Sequence, residues 1–278
     1  MEGLAALSGG RIRQSLVASD AIEAALNTDV AALLLTHTHY KSGRLHDMAD
    51  LTAKAQQLGI PVIWDLSHSA GALPVELNAC HADFAVGCGY KYLNGGPGAP
   101  AFLFVAERHH DAIFPVLSGW LGHARPFDFR DDYEPAAGID RFQCGTPAIL
   151  GMAALECGLD IMLEADMATI RAKSQALGDL LIELVEDRLE GFDLRSPREA
   201  AVRGSQVSIA HENGYAIMQA LIASGVIGDF RAPDILRFGF TPLYVGYEDV
   251  WTAVDTLATI MRTGEWREDR FNVRAAVT

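Results

Sequence analysis

Short, uninterrupted apolar runs that end on polar residues constrain this chain more than any other feature. Val30–Leu35 ends at Thr36, Val62–Trp64 ends at Asp65, and Phe84–Val86 leads to Gly87. A further run, Ala101–Val105, follows a Gly- and Pro-rich turn at residues 95–100. Between the first two runs, Met48, Leu51, Ala55 and Leu58 recur at helical spacing, and Gly59 then stops the helix. This strand–helix–strand order predicts an α/β fold with a mainly parallel sheet, covered by helices on both faces. In such sheets functional groups gather at the carboxyl ends of the strands. That rule singles out Thr36, Asp65, His68 and the adjacent Tyr90 and Lys91.

From about Ile161 to Leu189 the pattern predicts one long helix, with Leu177, Leu180, Leu181, Leu184 and Val185 as its apolar stripe. Beyond it, Phe192–Leu194, Gln206–Ile209 and Ile235–Phe238 read as strands, and Tyr215–Ala223 and Val250–Met261 as helices. The 278 residues suffice for two unequal domains. We place the division near residue 165, with a sheet-bearing domain over 1–165. A linking helix and a smaller α+β domain fill 166–278.

The net charge of −14 opposes binding to nucleic acid or anionic membranes. No apolar run approaches the ~18 residues of a membrane span, and the first residues lack the basic and apolar regions of a signal peptide. Cys80, Cys88, Cys144 and Cys157 have no CxxC spacing and read as reduced thiols of a cytoplasmic protein.

The chemistry starts at Asp65. A carboxylate ending a buried strand needs a partner. It is either a helix N-cap or the partner of a protonated heteroaromatic nitrogen, as in enzymes that use pyridoxal 5'-phosphate (PLP). Lys91 lies between Tyr90 and Tyr92 and beside glycines. It reads as a surface lysine or as a Schiff-base lysine, whose pKa aromatic neighbours and burial would lower. Tyr90 could donate to a phosphate. Asp65 and His68 could begin a metal site with His37 or His39, but those two histidines would point to opposite sides of an extended chain. We expect no metal, and read His68 as a hydrogen-bonding residue.

Three stretches resemble the kynureninase family in order and spacing: Thr36–Met48 (THTHYKSGRLHDM), Ile63–Leu77 (IWDLSHSAGALPVEL) and Ala82–Phe102 (ADFAVGCGYKYLNGGPGAPAF). Leu117–His123 (LSGWLGH), Tyr133–Pro147 (YEPAAGIDRFQCGTP) and Leu236–Tyr244 (LRFGFTPLY) extend the likeness to the far end. An Asp-x-x-His with a downstream lysine is common to many fold-type-I PLP enzymes, whereas YKYLNGGPG and GW-x-GH are more discriminating. The resemblance implies that Lys91 holds PLP and serves as the base, Asp65 pairs with the ring nitrogen, and His68 and Thr36 contact the cofactor. Tyr90 would bind the phosphate and relay a proton. Trp120 and Thr146 would complete the phosphate site of a neighbouring subunit, implying a homodimer with shared sites. Arg237 would clamp the substrate α-carboxylate, as a planar guanidinium can; without the resemblance it reads equally as a surface ion pair. Core packing would equally explain Trp120, and a turn Thr146. The implied reaction is hydrolysis of L-kynurenine, or its 3-hydroxy form, to L-alanine and the anthranilate, in tryptophan catabolism. The alternatives are another fold-type-I enzyme, of desulfurase or aminotransferase type, or an inactive remnant acting only as a partner subunit.

The pattern also departs from the family. Members extend farther at the N-terminus, and residues 1–27 offer no substitute for the phosphate-binding loop and ring-stacking aromatic expected there. An N-terminally truncated kynureninase is therefore the expectation. Gln206 stands where the resemblance leads us to expect a histidine.

Overall fold

The apolar runs do form strands, and the first two end on the polar residues Thr36 and Asp65. The computed structural model describes residues 1–273. In chain order its helices and strands begin with α1 (Glu2–Leu7), α2 (Ile22–Ala25), β1 (Leu33–Thr36), α3 (Met48–Gln57) and β2 (Val62–Asp65). There follow β3 (Phe84–Cys88), β4 (Ala101–Val105), α4 (Ile149–Glu164), α5 (Met167–Arg188), β5 (Asp193–Leu194) and β6 (Gln206–Ala210). The last are α6 (Gly214–Ala223), β7 (Asp229–Arg231), β8 (Ile235–Gly239), α7 (Tyr247–Thr263) and α8 (Asp269–Asn272).

The first sheet has the order β1-β2-β3-β4. β1, β2 and β3 run parallel, whereas β4 returns antiparallel beside β3. No helix lies between β3 and β4 to carry a crossover, so the Gly- and Pro-rich link between them can only reverse the chain. Alternation decides what each face carries. Val62, Trp64 and Ala85 point into a core with Met48, Leu51 and Ala55 of α3. Inside that core the Trp64 indole N–H donates to Thr52 Oγ1 at 3.0 Å, so its polar tip is satisfied.

The opposite face departs from the expected double cover. Leu34, Val86 and Leu103 are 51%, 41% and 43% exposed, and they share that face with Thr36 and Asp65. The strands are apolar on both sides, as in a sheet buried on both faces, yet among the described residues helix α3 covers only one.

Asp83 closes the bottom of this unit. Its buried carboxylate accepts from Gln56 Nε2, the Val62 N–H, Arg108 Nη2 and His109 Nε2, at 2.7–3.0 Å. Burial works against the charge, but these bonds hold the carboxyl down at about 2.

The second sheet has the order β5-β6-β8-β7 and is antiparallel throughout. Val207, Ile209, Leu236, Phe238 and Phe230 face a core built with α5, α6 and α7. Strand β7 is absent from the sequence reading, because three residues are too few to show a period. The single long helix expected from Ile161 is instead two helices. Asp166 interrupts it: its carboxylate accepts from the Thr169 N–H and hydroxyl at 2.8 Å and caps α5. No helix among the described residues is long and apolar enough to cross a membrane.

Replacing Asp83 with Ala would leave the Val62 N–H unpartnered beside the core and remove the carboxylate from His109 and from Arg108, which keeps only the His81 and Ala82 carbonyls. We expect a loss of ~3 kcal/mol, read as a lower urea midpoint with unchanged slope.

Candidate functional site

Parallel register brings the first two candidates side by side. Thr36 pairs with Asp65 across the carboxyl ends of β1 and β2, and Asp65 pairs in turn with Val86 of β3. The Ser67 N–H donates to Asp65 Oδ1 at 2.8 Å, which turns the chain toward His68. Asp65 Oδ2 carries no hydrogen bond among the described residues.

The loop with Lys91 lies against this turn. Gly71 allows the approach with its φ of +82°: a Cβ there would stand 2.4 Å from the Tyr92 carbonyl oxygen. The two tyrosines flanking Lys91 have opposite surroundings. Tyr90 is 51% exposed, and the Lys91 Nζ sits 5.4 Å from its ring centroid. Tyr92 is buried and donates its hydroxyl to the Ser205 carbonyl at 2.8 Å, tying the lysine loop to the second sheet. Burial pushes the Tyr92 phenol up, keeping it a neutral donor.

Arg237 enters from β8, where it neighbours Ser208 of β6 and Asp229 of β7. It is buried and bonds to Asp229 and to the Tyr40 carbonyl. Gln206 also donates to the Tyr40 carbonyl, at 2.9 Å, and Ser208 donates to the Lys41 carbonyl at 2.5 Å. Gln206 therefore joins the second sheet to the loop after β1.

His68 reports how closely these groups gather. Burial lowers its pKa to about 4, helped by the positive charges of Lys91 and Arg237 and opposed by Asp65 and Asp229. Five charged or polar groups from both sheets thus share one locality. The arrangement can hold a protonated ring nitrogen at Asp65, a carbonyl at the Lys91 amine and a carboxylate at Arg237.

Trp120 and Thr146 stand outside this group, Thr146 following the glycine that Trp120 approaches. Trp120 is 46% exposed and stacks edge-on against Phe127, with ring centroids 5.9 Å apart. Its Nε1 lies 3.9 Å from where a Cβ on Gly145 would stand, so Thr146 is close by. Among the described residues no hydrogen bond, ion pair or ring contact joins this pair to Asp65, His68 or Lys91. His37 and His39 do not gather with Asp65 and His68 into a metal site. Among the described residues no group of three His, Cys, Asp or Glu side chains could hold a metal ion.

Gly71 and Asp229 are missing from the sequence reading, and Tyr92 figures there only as a neighbour of Lys91. Asp229 lies on the strand too short to recognise. The Gly71 signal was legible only as a glycine shortly after Asp65-x-x-His68.

Residues 170–257 match the family described as the kynureninase C-terminal domain. A kynureninase of Burkholderia mallei (strain SAVP1) is 53% identical over 256 residues, covering 91% of this chain and 62% of that protein. A kynureninase of Pseudomonas fluorescens is 49% identical over 280 residues, covering 100% of this chain and 67% of that protein. The chain thus spans about three-fifths of the length of the Burkholderia relative. Among solved structures, apo cysteine desulfurase from Thermococcus onnurineus NA1 superposes with a TM-score of 0.71 at 21% identity, covering 84% of this chain and 60% of that one. A C-DES mutant with glycine covalently linked to its PLP cofactor gives 0.74 at 19%, covering 90% and 66%. These structures share the fold-type-I architecture, a mostly parallel sheet with flanking helices.

Two outcomes follow from the geometry. Gly71→Ala drives a methyl group into the Tyr92 carbonyl, so the Lys91 loop must shift; we expect ~2 kcal/mol of lost stability, measured by urea unfolding. The second concerns pH. His37 is also held down at about 4, by burial and then by the nearby His46 charge, against Asp47. Unfolded histidines take up protons near pH 6.5, whereas folded His37 and His68 stay neutral to about 4. The unfolded state therefore binds more protons in that window, and stability falls as pH drops from 6.5 to 4. In His37→Phe a urea series across this range should show a shallower fall.

Proposed function

The chain belongs to the kynureninase family, and from that premise we propose that it carries the lysine-bearing part of a PLP enzyme that hydrolyses L-kynurenine to anthranilate and L-alanine. The 3-hydroxy form would give 3-hydroxyanthranilate by the same steps. The observation that carries this reading is the convergence of Asp65, His68, Lys91 and Arg237, from both sheets, on one locality.

The residues present suit the cofactor. Asp65 has one oxygen engaged by Ser67 and the other without a partner among the described residues, at a strand end, and a carboxylate so placed can keep a pyridine nitrogen protonated. His68 stays neutral, so it adds no competing positive charge beside that nitrogen. PLP, when bound, supplies an electron sink that makes the bond between Cβ and Cγ of the substrate breakable.

Every other task falls to the chain. Lys91 would hold the cofactor through its amine and, as a free amine, would accept the proton at Cα. Asp65 would keep the ring nitrogen protonated. Thr36, beside Asp65, lines the same strand ends. Arg237 receives the α-carboxylate, which fixes Cα relative to Lys91. Tyr90, exposed beside Lys91, would donate to the phosphate and relay a proton. Water supplies the hydroxyl that adds to the Cγ carbonyl.

Trp120 and Thr146 are both exposed, and among the described residues neither bonds to the chain's own Lys91. That placement suits residues that complete the phosphate site of a second copy, so we assign a homodimer with shared sites. The cytoplasm suits the small-molecule reaction and the unpaired cysteines. We keep the division between the two domains near residue 165, where α4 and α5 meet.

The test uses the full protein with added PLP. We expect visible absorbance from the lysine-linked cofactor and release of anthranilate from L-kynurenine, and neither from Lys91→Ala. Unchanged absorbance in the variant would remove Lys91 from the reaction. Sulfide release from L-cysteine without kynurenine turnover would favour a desulfurase.

A further inference from the structure

Arg237 has five N–H donors, and this chain already occupies three of them. Nε and Nη2 both donate to Asp229 Oδ2, at 3.1 and 2.5 Å, and Nη1 donates to the Tyr40 carbonyl at 2.5 Å. The side edge of the guanidinium is therefore taken by an aspartate of the neighbouring strand. One N–H on Nη1 and one on Nη2 remain, with no acceptor among the described residues. The one left on Nη2 lies toward the end of the fork, where a planar carboxylate can meet it together with Nη1.

Asp229 is itself unusual. Its Oδ2 is shared between Arg237 and Arg231, the latter at 3.5 Å, while its Oδ1 is buried with no hydrogen-bond partner among the described residues. A sealed carboxylate oxygen without a donor is costly. Packing alone would be served as well by an apolar pair at this register. The pairing fixes a long, flexible side chain that could otherwise point along the strand or toward solvent, and preorganisation of that kind lowers the entropy cost of binding.

We infer that Asp229 is the positioning residue of Arg237: it holds the side edge of the guanidinium so that only the end edge meets the α-carboxylate of an amino-acid substrate. The Tyr40 carbonyl sets the second point of the plane. The inference deepens the proposed function and rests on that reading of Arg237. It adds a cost as well as a benefit, because the Asp229 charge competes with the incoming carboxylate. The net effect is selection of one orientation rather than maximal attraction.

The experiment titrates the PLP-loaded full protein with L-alanine and with ethylamine, which lacks the carboxylate, and reads the visible spectrum. In Asp229→Ala the dissociation constant for L-alanine should rise by about tenfold or more, while that for ethylamine stays within about twofold. In Asp229→Asn, whose Oδ1 can still accept from Nε and Nη2, the L-alanine value should rise by no more than about threefold. If the Ala variant does not fold in a urea series, Asp229→Glu replaces it: its added methylene shifts the acceptor, so L-alanine should weaken there and not in the Asn variant. Unchanged L-alanine affinity in the Ala or Glu variant, or equal weakening of ethylamine, would overturn the assignment of Asp229. A parent protein that responds to neither ligand would overturn the reading of the site itself, and this inference with it.

Discussion

Three consecutive backbone carbonyls after β1 hold the molecule's chemistry in one place. Those of His39, Tyr40 and Lys41 accept hydrogen bonds from Gln206, Arg237 and Ser208, side chains on one face of the second sheet. Backbone bonds from Leu45 N to the Val202 carbonyl and from Gly204 N to the Gly43 carbonyl extend the seam. Carbonyls of an irregular segment lack strand partners, and here side chains of the second sheet supply the donors. Thr36 ends β1 just before these carbonyls, and Arg237 bonds to the second of them. A residue at the mouth of the first sheet and a cation of the second are therefore fixed in one frame. Tyr92 adds a separate tie, from the lysine loop to Ser205.

The second sheet can serve this purpose because its faces divide labour. Alternation sends Val207, Ile209, Leu236 and Phe238 into a helical core and leaves Gln206, Ser208 and Arg237 on the other side. The first sheet is divided differently. Its α3 side is a closed core around Trp64, while the side with Asp65 also exposes Leu34, Val86 and Leu103. An apolar depression lined by Val86, Phe102, Leu103, Ile139 and Phe142 lies on that sheet. Such a carbon-lined depression suits an apolar or aromatic group.

Legibility in the sequence differed sharply between residues. Asp65 and Thr36 could be found because strand ends are marked by a change from apolar to polar residues, and parallel pairing then sets them side by side. The break between α4 and α5 was visible only as Asp166 three residues before Thr169, a cap signal inside an otherwise continuous apolar pattern. Covered faces could not be read at all. A strand with apolar residues on both sides looks the same whether or not a second layer lies over it. Arg237 was recognisable through the likeness of LRFGFTPLY to a family, but its Asp229 partner was not, because β7 is too short to show a period.

By itself the sequence determined the strand ends, the helices with clear stripes, the lysine between two tyrosines and the family to which they belong. These are local features, set by periodicity, caps and motif spacing within a few residues. Only the tertiary structure decided that Tyr92 points inward and Tyr90 outward, that Gly71 must admit the lysine loop, and that Arg237 shares its fork with Asp229 and Tyr40. It also decided the low pKa of His68, which depends on burial and then on the charges of Lys91 and Arg237, far apart along the chain. The physical reason is common to all four: each depends on burial and on groups brought together from distant parts of the chain, and neither is written in any single stretch of it.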